Sequence, residues 1–234
     1  MSEINIEVAG GSSVRLPTAG KYCDRNIVVT ATGGGDFSEI ESKMSNGFTD
    51  YSNYFYMKRT MTYAPEEILQ HTSSGTNFNS TFYYCEALIA VPSMETPKGT
   101  NFNSMFAYCS SLVYIPPLDT AKGNYFHNIF SYCTKLVTVG GVDFSKAIGF
   151  DNAFKNCTAL ENITINGVIN RTGLSFSDCT KLTHDSLMSA INALYDYVAN
   201  GGTGTYTLTL GSTNLAKLTD AEKAIATQKG WTLA

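Results

Sequence analysis

The fold is decided by the stretch GTNFNSMFAYC, residues 99–109, because the chain repeats it. A near-copy, GTNFNSTFYYC, occupies residues 75–85, and weaker copies follow around Cys133 and Cys157. The cysteines of the successive copies fall at positions 85, 109, 133, 157 and 179, so the steps between them are 24, 24, 24 and 22 residues. A constant period in the twenties is typical of a solenoid, in which each repeat packs only against its neighbours.

Each repeat has two halves with different patterns. In the first half, Phe102, Phe106 and Cys109 are separated by four and three residues, which predicts one face of a short helix. The second half, residues 112–116, is short and β-branched and ends on a proline, which predicts a strand. Because such a unit cannot bury its own apolar face, the sequence predicts stacked copies that share continuous rows of Phe, Cys and Leu in one core.

The phrase Phe-x-x-Cys-x-x-Leu-x-x-(Val/Ile) resembles the BspA-like leucine-rich repeats of bacterial surface and phage proteins. Residues 118–120 and 128–136 are especially similar to that family's Asp-Thr…Met-Phe-x-x-Cys-x-x-Leu form. The resemblance covers residues 46–183, and it departs from the family at residues 176–179, where the last copy is two residues short. It implies an α/β leucine-rich-repeat solenoid of about five to six coils, with a parallel sheet and short helices.

The pattern divides the chain into four parts. We expect an N-terminal β appendage with a glycine linker in residues 1–35, which would attach the protein to a partner, and a degenerate capping repeat in residues 36–72. The regular repeats occupy residues 73–183, and a helix-containing C-terminal cap occupies residues 184–234. In the appendage, strands are expected at Ile4–Val8 and at residues 27–31.

The cap is predicted from a second change of pattern. Apolar residues recur at helical spacing from Leu182 to Val198 and are followed by a glycine pair, which predicts one long helix. A strand at residues 206–210, a short helix from residue 219 to 227 and a closing strand around Trp231 should follow. Trp231, the sole tryptophan, is expected to fill the core rather than to bind a ligand.

Composition excludes several classes of function. The net charge is −4 and the basic residues form no cluster, which argues against nucleic-acid binding. No apolar run approaches the ~20 residues of a membrane span. The first residues lack the basic and apolar regions of a secretion signal, so a chain with this native start would be made and folded in the cytosol.

The sequence shows no catalytic or metal-binding motif. The six cysteines contain no pair two to four residues apart, as zinc sites require, so a ladder of buried thiols is favoured over sporadic disulfides between adjacent coils. The three histidines are scattered, and a glycosidase would need two carboxylates facing one bond at ~5–9 Å. We therefore expect no enzyme activity and no cofactor.

Two rows of repeat positions are candidates for a binding face. The row just before the cysteine and the row five residues after it carry tyrosines, whose rings and hydroxyls suit contacts with sugars and proteins. The alternative is that these rings only stack on one another between coils. The candidate residues are Tyr63, Tyr84, Tyr108, Tyr114, Tyr132, Thr138 and Asn162.

The resemblance implies a non-enzymatic binding module. The first hypothesis is a phage tail or receptor-binding protein that recognises a bacterial cell-surface glycan or protein, is located in the virion and contacts other tail proteins through residues 1–35. The alternatives are a bacterial surface or secreted adhesin, located outside the cell, and, less favoured, a carbohydrate-active enzyme. A homotrimer is the oligomer that the resemblance suggests.

Overall fold

A computed structural model describes residues 48–64, 69 and 71–234, and residues 5–8, 12–15 and 28–31 as strands. Strand β1 (Asn5–Val8) lies between β2 (Ser12–Arg15), which is antiparallel to it, and β3 (Val28–Ala31), which is parallel. Strands were predicted at the positions of β1 and β3, but β2 was not. The predicted linker at residues 33–35 and most of the capping repeat before residue 48 lie outside the described residues.

Successive repeats lie side by side as coils. The rings of Phe82, Phe106 and Phe130 stack nearly parallel, with centroids 5.2 and 5.7 Å apart. Phe55 stacks on Phe82 at 5.0 Å, which confirms the predicted alignment of the worn first repeat with the others. The first half of each coil is called its turn segment, and coils 1 to 5 have turn segments at residues 51–57, 78–84, 102–108, 126–132 and 150–156.

The helix predicted for the first half of each repeat is wrong, because these described segments are chains of β-turns. In coil 3 the Met105 amide donates to the Phe102 carbonyl, three residues back, at 3.2 Å. Ser104 and Tyr108 have φ values of 53° and 64°, left-handed conformations that end a helical run. Helices about 10 Å wide also could not stack where neighbouring rings are about 5 Å apart.

A glycine opens each regular turn segment for a steric reason. A Cβ atom at Gly99 would clash with the Phe102 ring, and the same relation holds for Gly75 and Gly123 with their own phenylalanines. The ring therefore folds back over the glycine, and both are buried. Close approach of the backbone to the ring fixes where the chain enters the core.

The predicted ladder of buried thiols is confirmed for the five described cysteines, which are free and buried. Each thiol lies beneath a phenylalanine of the preceding coil: Cys109 Sγ donates to the Phe82 carbonyl and Cys133 Sγ to the Phe106 carbonyl, both at 3.0 Å. Burial raises the pKa of Cys85 to about 12, so its thiol stays protonated and remains a donor. Cysteine suits this row because it is small and apolar and still donates a weak hydrogen bond.

The second halves of the repeats form the predicted parallel sheet. Strands β4 (Tyr114–Ile115), β5 (Thr138–Asp143) and β6 (Asn162–Asn166) pair in that order. Isolated parallel bridges continue the same row back through Ala90 to Tyr63. The repeat period therefore sets the register between neighbouring strands.

The C-terminal cap differs from the prediction at its first helix. Helix α1 (His184–Asn192) begins where the Thr183 side chain accepts from the Ser186 amide, but it ends well before Val198. It stops because Ile169 exchanges backbone hydrogen bonds with residues 193 and 195, at 2.7 and 2.9 Å, which places that stretch beside a coil as a bridge.

The rest of the cap follows the predicted order, with one extra short helix. The elements are β7 (Tyr206–Leu208), α2 (Ser212–Leu215), α3 (Asp220–Gln228) and β8 (Trp231–Leu233), with β7 and β8 parallel. Trp231 is buried and its indole N–H donates to the Tyr195 carbonyl at 2.8 Å, as expected of a residue that fills the core.

Candidate functional site

The three tyrosines just before the repeat cysteines form one continuous stack. Tyr84 and Tyr108 have centroids 4.3 Å apart at 3° between planes, and Tyr108 and Tyr132 follow at 4.7 Å and 7°. Each is half-buried and has a φ near 60°, because it ends a β-turn of its coil. The faces of these rings therefore stack on one another, as the alternative prediction stated.

Further side chains close the N-terminal end of this stack. The Arg59 guanidinium lies 5.1 Å from the centre of the Tyr84 ring and is held there by Glu86 at 3.0 Å. Tyr83 meets Tyr84 edge-on at 4.9 Å and stacks on Tyr56 at 5.3 Å. We call Tyr56, Tyr83, Tyr84, Tyr108 and Tyr132 the tyrosine ridge.

In the middle of the ridge, Tyr84 and Tyr132 cover both faces of the Tyr108 ring, which therefore presents its edge and hydroxyl group. Within the described part of the chain, the hydroxyls of Tyr84, Tyr108 and Tyr132 have no hydrogen-bond partner. Burial, followed by the neighbouring phenols, raises the pKa of Tyr108, so its hydroxyl is neutral at physiological pH and can both donate and accept. An aligned row of such groups suits an extended polar ligand better than a single stacked ring.

The strand row is less exposed than the sequence indicated. The parallel pairing brings Tyr63, Tyr114, Thr138 and Asn162 into one line, as predicted. Tyr114, however, is only 7% exposed, and Ala90 between the two tyrosines is 1% exposed. The expectation that Tyr114 lies on an exposed face is therefore wrong, because its coil neighbours cover it. Tyr63, Thr138 and Asn162 are half-buried.

The sequence-based prediction did not include the ridge residues Tyr56 and Tyr83 or the neighbouring Arg59. Tyr56 aligns with Tyr83 once coil 1 is placed against coil 2, so the signal was present in the repeat alignment. Arg59 follows the position where Lys58 replaces the cysteine, and nothing in the sequence indicated that it would cover a ring.

A groove apart from the tyrosine ridge carries carboxylates. Glu95, Asp119 and Asp143 occupy equivalent places in successive coils and line a groove of about 540 Å³. Asp119 and Asp143 each accept a backbone N–H two residues ahead, at 3.3 and 2.8 Å, so both close local turns. These hydrogen bonds give Asp119 and Asp143 a structural role in their turns.

In the part of the chain that the structure describes, no cluster of three or more His, Cys, Asp or Glu side chains is placed to hold a metal ion. The described helices include none with the length and apolar character needed to cross a bilayer. The chain matches no family model, no curated protein and no solved structure. The resemblance to BspA-like repeats therefore rests on the residues of the repeats alone.

Proposed function

We propose that the chain is a leucine-rich-repeat-type solenoid that acts as a non-enzymatic binding module and recognises a bacterial cell-surface glycan or protein through the tyrosine ridge. The observation that supports this most is the row of stacked phenols at 4.3 and 4.7 Å, with unpartnered hydroxyl groups. The stack holds each ring rigidly, so little side-chain entropy is lost when a ligand binds.

The wider biological role follows from the resemblance and stays a proposal. A phage tail or receptor-binding component would use the ridge towards the host and residues 1–35 towards other virion proteins. A bacterial adhesin would use the same ridge, so the two roles differ in their partners and not in the site.

The test removes the hydroxyls and keeps the rings. A variant with Tyr84→Phe, Tyr108→Phe and Tyr132→Phe should melt at the same temperature as the parent, because stacking needs only the rings. Its binding to purified Gram-positive cell walls and to a glycan array should fall at least about tenfold, since each hydroxyl contributes about one hydrogen bond.

Tyr125→Phe is the matched control. Tyr125 is exposed and lies in another row of the same coils, so the loss of its hydroxyl should leave binding unchanged. Equal binding by the triple variant and the parent would mean that the ridge is structural only, and the proposed binding surface would have to be given up.

A further inference from the structure

Neighbouring turn segments are joined by the same four backbone hydrogen bonds at every interface from coil 1 to coil 5. Every second amide points along the stack and donates to a carbonyl of the next coil, at N···O distances of 2.7 to 3.0 Å. The donors are residues 51, 53, 55 and 57, then 78, 80, 82 and 84, then 102, 104, 106 and 108, then 126, 128, 130 and 132.

This ladder stops after coil 5, because the next coil, coil 6 (residues 174–179), is too short to continue it. Phe150 and Phe154 are separated by three residues, whereas Leu174 and Phe176, which follow them in the core, are separated by one. The core itself continues, since the rings of Phe154 and Phe176 lie 4.9 Å apart. The two residues that coil 6 lacks are therefore absent from its turn segment, which should supply the carbonyl acceptors.

The amides of coil 5 are left without backbone acceptors as a result. Among the described residues nothing accepts a hydrogen bond from the amides of Phe150, Asn152 and Phe154. The fourth amide of the series, that of Asn156, is satisfied by a side chain instead, at 2.9 Å from Asp178 Oδ2. Phe150 and Phe154 are buried, and unpaired backbone amides of buried residues are rare and costly, so an external acceptor is expected there. Asn152 is exposed, so its amide is open to water or to a ligand.

The short coil cannot move to supply that acceptor, because the cap holds it. The buried Asn214 side chain donates to the carbonyls of Phe176 and Cys179, at 3.1 and 3.3 Å. The Phe176 amide donates to the Thr209 carbonyl at 2.8 Å. Coil 6 is thus bonded to the cap on its far side, and the gap towards coil 5 persists.

A pocket of about 280 Å³ fills this gap, and we call it the notch. The residues that line it are Asp151, Asn152, Phe154, Lys155, Gly173, Ser175, Ser177 and Asp178. A water molecule occupies about 30 Å³ of liquid volume, so the notch has room for a small organic group as well as for solvent.

The charges around the notch select the kind of occupant. The lining contains two carboxylates, Asp151 and Asp178, and one ammonium group, Lys155, which disfavours an anionic occupant. Asp151 Oδ2 also lies 3.2 Å from His127 Nδ1, outside the lining. Amide donors at the same place disfavour a bare cation. The best partner is a neutral molecule with a carbonyl that accepts from the amides and with hydroxyls that donate to the carboxylates.

We propose that the notch is a binding site for a neutral N-acetylated sugar. The acetamide oxygen accepts from the amides of Asn152 and Phe154, and the sugar hydroxyls donate to Asp151 and Asp178. The notch shares no residue with the tyrosine ridge, so this proposal stands independently of the ridge.

The experiment is an amide NMR titration of the full chain with N-acetylglucosamine, with glucose as the probe that lacks the acetamide. The expected result is saturable shifts at Asn152 and Phe154 and slower hydrogen exchange at the same two amides. Glucose should bind at least about tenfold more weakly, because it has no acetamide oxygen to accept from the two amides. Absence of shifts at these amides, or an equal response to glucose, overturns the proposal.

Two variants sharpen the test. Insertion of Asn-Ala between Ser175 and Phe176 restores the 24-residue length, so the backbone of coil 6 should fill the notch and abolish the sugar response. Asp178→Asn keeps an oxygen for the Asn156 amide but removes a charged acceptor, and it should weaken sugar binding about tenfold without unfolding the chain. Unchanged sugar binding by the Asp178→Asn variant contradicts the proposed site even if the insertion variant fails to fold.

Discussion

Phe106→Ala is the substitution that probes the stack most directly. The Phe106 ring is fully buried between the rings of Phe82 and Phe130, at 5.2 and 5.7 Å. A Phe→Ala change in a core costs about 3–5 kcal/mol, and the cost is highest where the surroundings cannot collapse. Here the rings on both sides are fixed by their own coils, so we expect a loss of about 4–5 kcal/mol.

Such a loss is a large part of the roughly 5–15 kcal/mol that stabilises a typical domain. Urea denaturation followed by circular dichroism gives the free energy of unfolding. Because each coil contacts only its neighbours, the substitution should also lower the m-value or split the transition, as the two halves of the stack become uncoupled.

Phe48→Ala is the matched control for this experiment. Phe48 is half-buried and packs edge-on against Tyr51 at 4.9 Å, at the start of coil 1, so its loss should cost less than about 2 kcal/mol. If Phe106→Ala cost no more than Phe48→Ala, the continuous column of rings would not be the main source of stability, and the description of the core would have to change.

Three other predictions address separate features. Tyr114→Ala should lower the free energy of unfolding by about 2–4 kcal/mol, because the ring is buried, and an unchanged melting temperature would contradict that burial. Ser104→Gly should stabilise the protein by about 0.5–1 kcal/mol by relieving its positive φ, whereas Ser111→Gly, without one, should destabilise it by a similar amount. The hydrogen bond to Glu222 raises the pKa of His184. This pair therefore stabilises the fold at a pH below the ordinary histidine pKa, and the stabilisation is lost as the pH rises through the raised pKa. Glu222→Gln should return the His184 pKa, measured by NMR, towards 6.5.

The sequence was sufficient for the period, the core and the register of the strands. Phenylalanine and cysteine rows can be read from the repeat because equivalent residues of stacked coils must meet. The helix was predicted wrongly because apolar spacings of four and three fit a chain of four-residue turns as well as a helix. A left-handed residue distinguishes a chain of turns from a helix, and asparagine, as at Asn53 and Asn128, tolerates that conformation. Ser104 and Tyr108 adopt it too, although their residue types do not predict it.

The candidate site was predicted in part. Alignment alone placed Tyr84, Tyr108 and Tyr132 in one row, whereas the burial of Tyr114 depends on how neighbouring coils cover it. The two-residue deficit before Cys179 was visible in the sequence, but its effect was not. Which amides lose their carbonyl acceptors depends on how the shortened coil packs against the cap, and the repeat pattern does not contain that information.

The identical joints among coils 1 to 5 make the protein modular in length. Removal of residues 99–122 in one piece would join Lys98 to Gly123 and leave every row in line, since Phe126 would take the place of Phe102. Duplication of the same piece would lengthen the molecule by one strand spacing, about 5 Å. Gene duplication or loss of a single unit could thus adjust the reach of the protein in equal steps, with both ends unchanged.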